Sequence, residues 1–307
     1  MAKTAILFPG QGAQHVGMGR DIAEAFDVAA KVFEQADSQL GISLSELCFN
    51  GPADRLNATD ISQPAIFVTS VAIWEALRAT GAADGFSPAG AAGLSLGEYT
   101  ALWLGGSFGF SDGLRLVRRR GELMQAASEA APSGMVSIMG LDERQVEALC
   151  GEVDGDDVLV PANFNCPGQI VVSGSKEACE RAVAAVAAQG GRAVPLAVAG
   201  AFHSPLMQSA ADGLGQALSE AQIETPRMPV CRNVDGEYHD QPDSVRRSLY
   251  SQVIQPVRWQ RCIERMIADG YDHFVEIGPG RVLTGLMKKV NRKMNMTNIS
   301  SAKDVAS

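Results

Sequence analysis

The stretch Ala89-Gly90-Ala91-Ala92-Gly93-Leu94-Ser95-Leu96-Gly97-Glu98-Tyr99-Thr100-Ala101-Leu102-Trp103-Leu104 decides how this chain is read. Ala89 to Leu94 is weak as a strand by propensity alone, since Ala and Gly are poor strand formers. Leu96 to Leu104 is helix-like. Gly93-Leu94-Ser95-Leu96-Gly97 between them matches G-x-S-x-G. That pattern serves a serine on a tight strand-to-helix turn, where close-packed backbone demands glycines and the hydroxyl is left exposed above a helix N-terminus. A second match, Gly105-Gly106-Ser107-Phe108-Gly109, comes after a helix instead of a strand and reads as a helix C-cap and loop.

Outward from this turn, strands and helices alternate. Ala5 to Phe8 reads as a strand running into the Gly-rich turn Pro9-Gly10-Gln11-Gly12-Ala13-Gln14. Helical patterns occur at about 20–39, 62–80 and 112–129. Near the other end, His273 to Ile277 reads as a strand, Gly278-Pro279-Gly280 as a turn and Arg281 to Val290 as a helix. Such alternation predicts a mostly parallel sheet. The middle differs: strand 135–139, helix 142–151, strands 158–162 and 169–173, helix 175–189, strand 192–198. That β-α-β-β-α-β order is the ferredoxin-like signature. The expected organisation is a catalytic domain from 1–130 and 199–307 with a ferredoxin-like small domain, 131–198, inserted. Residues from about Asn291 are polar and read as loose.

Composition narrows the class. Hydrophobic residues make up 46% and charged residues 20% of 307 residues, ordinary for a globular protein. No apolar run reaches the roughly 18 residues of a membrane span, and Met1-Ala2-Lys3-Thr4 leads straight into a run too short for a signal peptide. Six scattered cysteines (48, 150, 166, 179, 231, 262) without CxxC spacing suggest reduced thiols and a cytoplasmic protein. Four histidines (15, 203, 239, 273) without a His/Cys cluster argue against a metal site. The net charge of −9 disfavours nucleic-acid binding. Gly10-x-Gly12 does not extend to a dinucleotide fingerprint, because its third glycine would fall at His15.

A serine nucleophile needs a partner to accept its proton. His203 is the best of the four histidines: it comes after the strand at 192–198 and precedes Ser204-Pro205, an N-cap with Pro at N1. A helix N-terminus disfavours imidazolium and so suits a base. On the residues alone, a capping or core histidine is an equal reading. His15 could line the pocket; His239 reads as a surface loop residue and His273 as a strand start. Glu98, in the first turn after Ser95, reads as structural, and Asn163-Phe164-Asn165 with Pro167-Gly168-Gln169 as turn chemistry. On the helix at 112–129, Gly113, Leu116, Val117, Leu123, Met124 and Ala127 fall within about 60° of Arg120, while Arg115, Arg118, Arg119 and Glu122 lie about 100° or more away. Arg120 therefore points from an apolar stripe. A buried guanidinium needs an anion, either a protein carboxylate or a substrate.

Four separated motifs resemble the malonyl-CoA:acyl carrier protein transacylases, in order and over about 5–290: Phe8-Pro9-Gly10-Gln11-Gly12-Ala13-Gln14, Gly93-Leu94-Ser95-Leu96-Gly97-Glu98-Tyr99, Gly200-Ala201-Phe202-His203-Ser204 and Glu276-Ile277-Gly278-Pro279-Gly280. One departure stands out, Leu94 where the family usually has His. The resemblance implies an α/β-hydrolase-like core with the site in a cleft against the small domain. It implies Ser95 as nucleophile, His203 as base, the N–H groups of Gln11 and Leu96 as oxyanion hole, the backbone carbonyl of Gln252 orienting the histidine, and Arg120 holding a malonyl carboxylate. The implied substrates are malonyl-CoA and an acyl carrier protein, in fatty-acid or polyketide synthesis, with no metal or redox cofactor. Carrier proteins of this kind are acidic, so Lys288 and Lys289, with Arg292 and Lys293, form a candidate docking patch; lysines also simply suit a last helical turn. Rival readings are a serine hydrolase or thioesterase of related fold and a catalytically silent carrier-binding module.

Overall fold

The computed structural model describes residues 3–153 and 157–306; the reading of Met1-Ala2 lies outside them. The chain begins with β1 (Thr4–Phe8), α1 (Arg20–Ala25), α2 (Asp27–Leu40), α3 (Leu44–Asn50), α4 (Ala53–Asn57), α5 (Thr59–Thr80), β2 (Pro88–Gly93), α6 (Gly97–Leu104) and α7 (Phe110–Ala130). It continues through β3 (Ser133–Met139), α8 (Glu143–Val153), β4 (Leu159–Cys166), β5 (Gln169–Ser175), α9 (Lys176–Ala188) and β6 (Arg192–Pro195). It closes with α10 (Gln208–Glu220), α11 (Pro242–Ile254), α12 (Trp259–Ala268), β7 (His273–Ile277), α13 (Val282–Val290), β8 (Asn295–Ile299) and α14 (Ala302–Val305).

Two four-stranded sheets result. One has the order β2-β1-β7-β8 and is parallel throughout. β1 is central and wholly buried, which is why Ala5 to Phe8 reads as an unbroken apolar run instead of alternating. Its side chains still divide by face: Ile6 and Phe8 join the cluster containing α5, and Ala5 and Leu7 join Trp259, Ile263 and Met266 of α12. α5 is buried nearly all round, and its apolar residues accordingly fall on every face instead of forming one stripe. The loops after β1, β2 and β7 leave the sheet at its carboxyl edge, the usual ligand side of an open α/β sheet.

The second sheet has the order β4-β5-β3-β6 and is antiparallel. It is tied to the rest of the chain beside that carboxyl edge. Phe164 N–H donates to Val257 O at 2.9 Å and Val257 N–H to Ala162 O at 2.8 Å. Ser173 Oγ donates to Phe202 O at 2.6 Å, one residue before His203.

Four sequence expectations change. The tail after Asn291 is not loose: β8 pairs in parallel with β7, and Ser301 and Asp304 close a capping box on α14. Asn163-Phe164-Asn165 is not a turn but part of β4, which bulges twice against β5. β6 stops at Pro195, and Leu196 and Val198 turn off to face the cleft. Helices α3 and α4 occupy a stretch for which the periodicity predicts none.

The turn at Ser95 depends on its glycines sterically. A Cβ on Gly93 would lie 1.9 Å from the Gly97 carbonyl, and one on Gly97 would lie 2.1 Å from Phe8 O. Backbone cannot yield to that. Gly109, which ends the second G-x-S-x-G match, has φ −74° and nothing within 4 Å of a built Cβ. Gly97→Ala should therefore lose roughly 3 kcal/mol or more of stability, as severe overpacking does. Gly109→Ala, at an N-cap, should lose less than about 1 kcal/mol. Urea unfolding of the two variants measures the contrast; equal losses would contradict it.

Candidate active site

Ser95 sits between β2 and α6 with φ +52°, a left-handed conformation rare for a side-chain-bearing residue. The turn is held from outside: Ser95 N–H donates to Asn233 Oδ1 at 2.7 Å, and Ser95 O accepts from Gln252 Nε2 at 3.0 Å. Asn233 Nδ2 donates in turn to Gly93 O at 2.8 Å. Strain of about 1–3 kcal/mol at such a residue persists where surrounding contacts over-determine it.

His203 Nε2 lies 2.8 Å from Ser95 Oγ. The other ring nitrogen, Nδ1, lies 2.6 Å from the backbone carbonyl of Gln252. A carbonyl oxygen only accepts, so Nδ1 carries the proton and Nε2 is left as an acceptor for the serine hydroxyl. No carboxylate among the described residues bonds this ring. His203 also has positive φ, +58°. Ser204 caps the next short helical turn, accepting from Leu206 N–H. Burial of the ring, then the nearby charge of Arg120, pushes the His203 pKa down to about 3, against the hydrogen bond to Gln252. The imidazole is therefore neutral at any ordinary pH.

Arg120 is 1% exposed and projects from α7 to the same point. Its Nη1 donates to Gln63 Oε1 at 2.7 Å, and its Nη2 to Ser95 Oγ and Gln252 Oε1, both at 3.0 Å. Its Nε has no partner among the described residues, and no carboxylate there comes within ion-pair reach. The Tyr99 ring lies 5.6 Å from its carbon centre. Burial lowers the guanidinium pKa, opposed by Tyr99 and Glu98. Of the two anions that the sequence left open for Arg120, a paired protein carboxylate is absent among the described residues.

These groups floor a cleft of about 340 Å³, in the size range of small-molecule sites. Gln11, Leu94 and Arg120 line it on the parallel-sheet side; Asn163, Asn165 and Gln169 line it on the antiparallel side. The backbone N–H groups of Gln11 and Leu96 donate to no other protein atom among the described residues. Val282 and Leu286 of α13 reach the mouth, and the exposed Lys288 and Lys289 end that helix. Lys289 Nζ donates across the cleft rim to Gln169 Oε1 at 2.8 Å.

The structure thus gathers Ser95, His203, Arg120 and Gln252 within hydrogen-bonding distance. It does not bring His15 to the cleft wall; its ring lies 3.4 Å from Ala13 O. His239 is a correction: it lies in a loop but is buried, with Nε2 2.8 Å from Glu98 Oε1. Sequence reasoning missed Asn233 and Gln63. Gln63 carried a weak signal, a large amide side chain amid the mostly apolar stretch of α5 from Ile61 to Val68. Asn233, 138 positions from Ser95, carried none.

Over residues 6–306 the chain matches the family described as Acyl transferase domain. It is 40% identical over 307 residues to the malonyl CoA-acyl carrier protein transacylase of Bacillus subtilis (strain 168), covering 99% of this chain and 96% of that one. To the enzyme of the same name from Escherichia coli (strain K12) it is 42% identical over 291 residues, covering 94% and 93%. Among solved structures, a malonyl-transacylase in complex with a type II PKS acyl-carrier protein superposes with TM-score 0.95 at 40% identity, covering 99% and 98%.

The depressed His203 pKa has a signed consequence. An unfolded histidine titrates near 6.5, whereas the folded one stays neutral to about 3. Below about pH 6.5 the unfolded chain therefore takes up a proton that the folded chain refuses, and stability falls as pH drops towards 3. In NMR titrations of the intact protein the His203 ring signals should not move between pH 8 and pH 5. A midpoint near 6.5 would contradict the burial argument.

Proposed function

The chain belongs to the malonyl CoA-acyl carrier protein transacylase family, and from that premise we propose how its cleft moves a malonyl group from malonyl-CoA to the phosphopantetheine thiol of an acyl carrier protein. Ser95 Oγ attacks the thioester carbonyl carbon while its proton passes to His203 Nε2. The oxyanion that forms is met by the N–H groups of Gln11 and Leu96. The carbon–sulfur bond breaks, coenzyme A leaves with the proton from His203, and malonyl-Ser95 remains. The carrier thiol then attacks this ester, giving its proton to His203, and Ser95 recovers it as the malonyl thioester departs. Every proton is returned and no electrons are gained or lost, so the cycle consumes no oxidant or reductant.

The observation that carries this reading is Arg120. A buried cation with neutral partners, 3.0 Å from the nucleophile, is costly unless an anion completes it. The free carboxylate of malonyl is such an anion, and arginine holds carboxylates with two parallel hydrogen bonds. A thioesterase would need water at the second step. Leu94, where the family usually has His, is one polar partner fewer for such a water, although Gln11, Asn163, Asn165 and Gln169 also line the cleft.

The same reading extends to architecture and setting. The strand order and β-α-β-β-α-β succession of the second sheet support a ferredoxin-like domain over 131–198. The strand–Ser95–helix turn supports an α/β-hydrolase-like core over 1–130 and 199–307. Six cysteines, none of them in a disulfide among the described residues, support a reducing, cytoplasmic setting. We assign the enzyme to fatty-acid synthesis, with a polyketide carrier as the second substrate to compare, because the similar complex holds a type II PKS carrier.

Malonyl and acetyl transfer, each from its coenzyme A ester to a carrier protein, test the reading. Arg120→Ala should lower malonyl relative to acetyl kcat/KM by tenfold or more, since a charge-assisted hydrogen bond is worth about 1.5–3 kcal/mol. Equal losses for both acyl groups would make Arg120 structural. Release of free malonate at the transfer rate would favour the thioesterase.

The lysines at the cleft rim bear on the second half-reaction only. Lys288→Glu with Lys289→Glu should slow transfer to the acidic carrier on the order of tenfold at low salt. The effect should shrink as salt screens exposed charges beyond about 10 Å. Acylation by malonyl-CoA should stay near the wild-type rate. Equal slowing of both half-reactions, or of neither, would remove these lysines from the docking surface.

A further inference from the structure

Beneath Ser95 lies a carboxylate that takes no part in the transfer chemistry. Glu98 is fully buried in the first turn of α6. Its Oε2 accepts from Gln252 Nε2 at 2.7 Å and from Asn233 N–H at 3.0 Å. Its Oε1 accepts from His239 Nε2 at 2.8 Å and faces Ser248 Oγ at 3.4 Å. With Nε2–H committed to Glu98, His239 has its Nδ1 without a partner among the described residues. A helix-dipole role for Glu98 accounts for none of these side-chain and loop contacts.

The first contact has a directional consequence. A carboxylate facing an amide offers only acceptors, so the NH2 end of Gln252 must turn to Glu98. The carbonyl end, Oε1, is thereby turned to Arg120 Nη2 at 3.0 Å. The same Gln252 Nε2 reaches Ser95 O, and the same residue's backbone carbonyl holds His203. With the amide reversed, two N–H groups would face a guanidinium, donor against donor. Glu98 thus sets the polarity of the amide on which Arg120 rests. Its charge lies one amide away from the guanidinium, whose edge facing the cleft meets no protein carboxylate among the described residues.

We propose that Glu98 is a positioning residue for acyl-group choice: through the Gln252 amide it holds Arg120 open and aligned for a substrate carboxylate. The inference rests on the reading of Arg120 as the malonyl-binding group. It assigns His239 and Ser248 to anchoring the other carboxylate oxygen.

The test compares malonyl and acetyl kcat/KM within one preparation of each variant, so that any inactive fraction cancels in the ratio. Glu98→Gln keeps the size but lets the Gln252 amide reverse, and the malonyl-to-acetyl ratio should fall about tenfold. Glu98→Asp keeps the charge but withdraws it from Gln252. It should lower the ratio by a smaller factor, and it stands in if the Gln variant does not fold. A ratio within about twofold of wild type in either folded variant, with both activities reduced alike, would make Glu98 a structural residue and overturn the proposal. Arg120→Ala runs in parallel. If its ratio falls while those of the Glu98 variants hold, the relay fails and the reading of Arg120 stands. If its ratio holds, that reading fails and this inference falls with it.

Discussion

The hydrogen bond from His203 Nδ1 to the backbone carbonyl of Gln252, 2.6 Å long, is the constraint on which the site turns. It selects the tautomer that leaves Nε2 facing Ser95 Oγ, and it does so without adding a charge. A carboxylate in that place would stabilise an imidazolium. Here burial of the ring, then the nearby guanidinium, depresses its pKa, and the neutral carbonyl only partly offsets them. Such a ring is neutral at rest, with Nε2 left as an acceptor towards Ser95 Oγ. Gln252 thereby serves three groups at once, because its side chain also holds Ser95 O and Arg120.

The proposed nucleophile and base share an unusual property: both have positive φ without being glycine. Each is held by contacts from distant parts of the chain. Asn233 and Gln252 grip the Ser95 turn, while Ser173 and Gln252 grip the segment carrying His203. The antiparallel sheet therefore does more than roof the cleft. Its bond to Phe202 O and its bridge from Asn163 to Val257 fasten the stretches on either side of the histidine and of its carbonyl partner. Local strain persists there because several long-range bonds would have to break together to relieve it.

Much of this was legible before any coordinates. The Ser95 turn was, because the packing that excludes side chains at Gly93 and Gly97 leaves glycines as its trace in the sequence. Arg120 was, because a charge within an apolar stripe violates helical periodicity. Other features were not. β8 is polar along most of its length, and pairing with β7 rather than apolar content makes it a strand. His239 looks like a loop residue because it is one; only the meeting of its loop with α6, 141 positions earlier, buries it against Glu98. Asn233 and Glu98 matter through partners remote in the chain, and local pattern does not encode such pairings.

The central claim is that Ser95 is acylated and that His203 makes it reactive. Intact-mass analysis with peptide mapping, after brief exposure to malonyl-CoA in the absence of carrier protein, tests it most directly. The expected result is one malonyl group on the peptide containing Ser95, none in Ser95→Ala, and a strongly reduced yield in His203→Ala. A malonyl group on Ser107 or any other residue, or an undiminished adduct in Ser95→Ala, would contradict it.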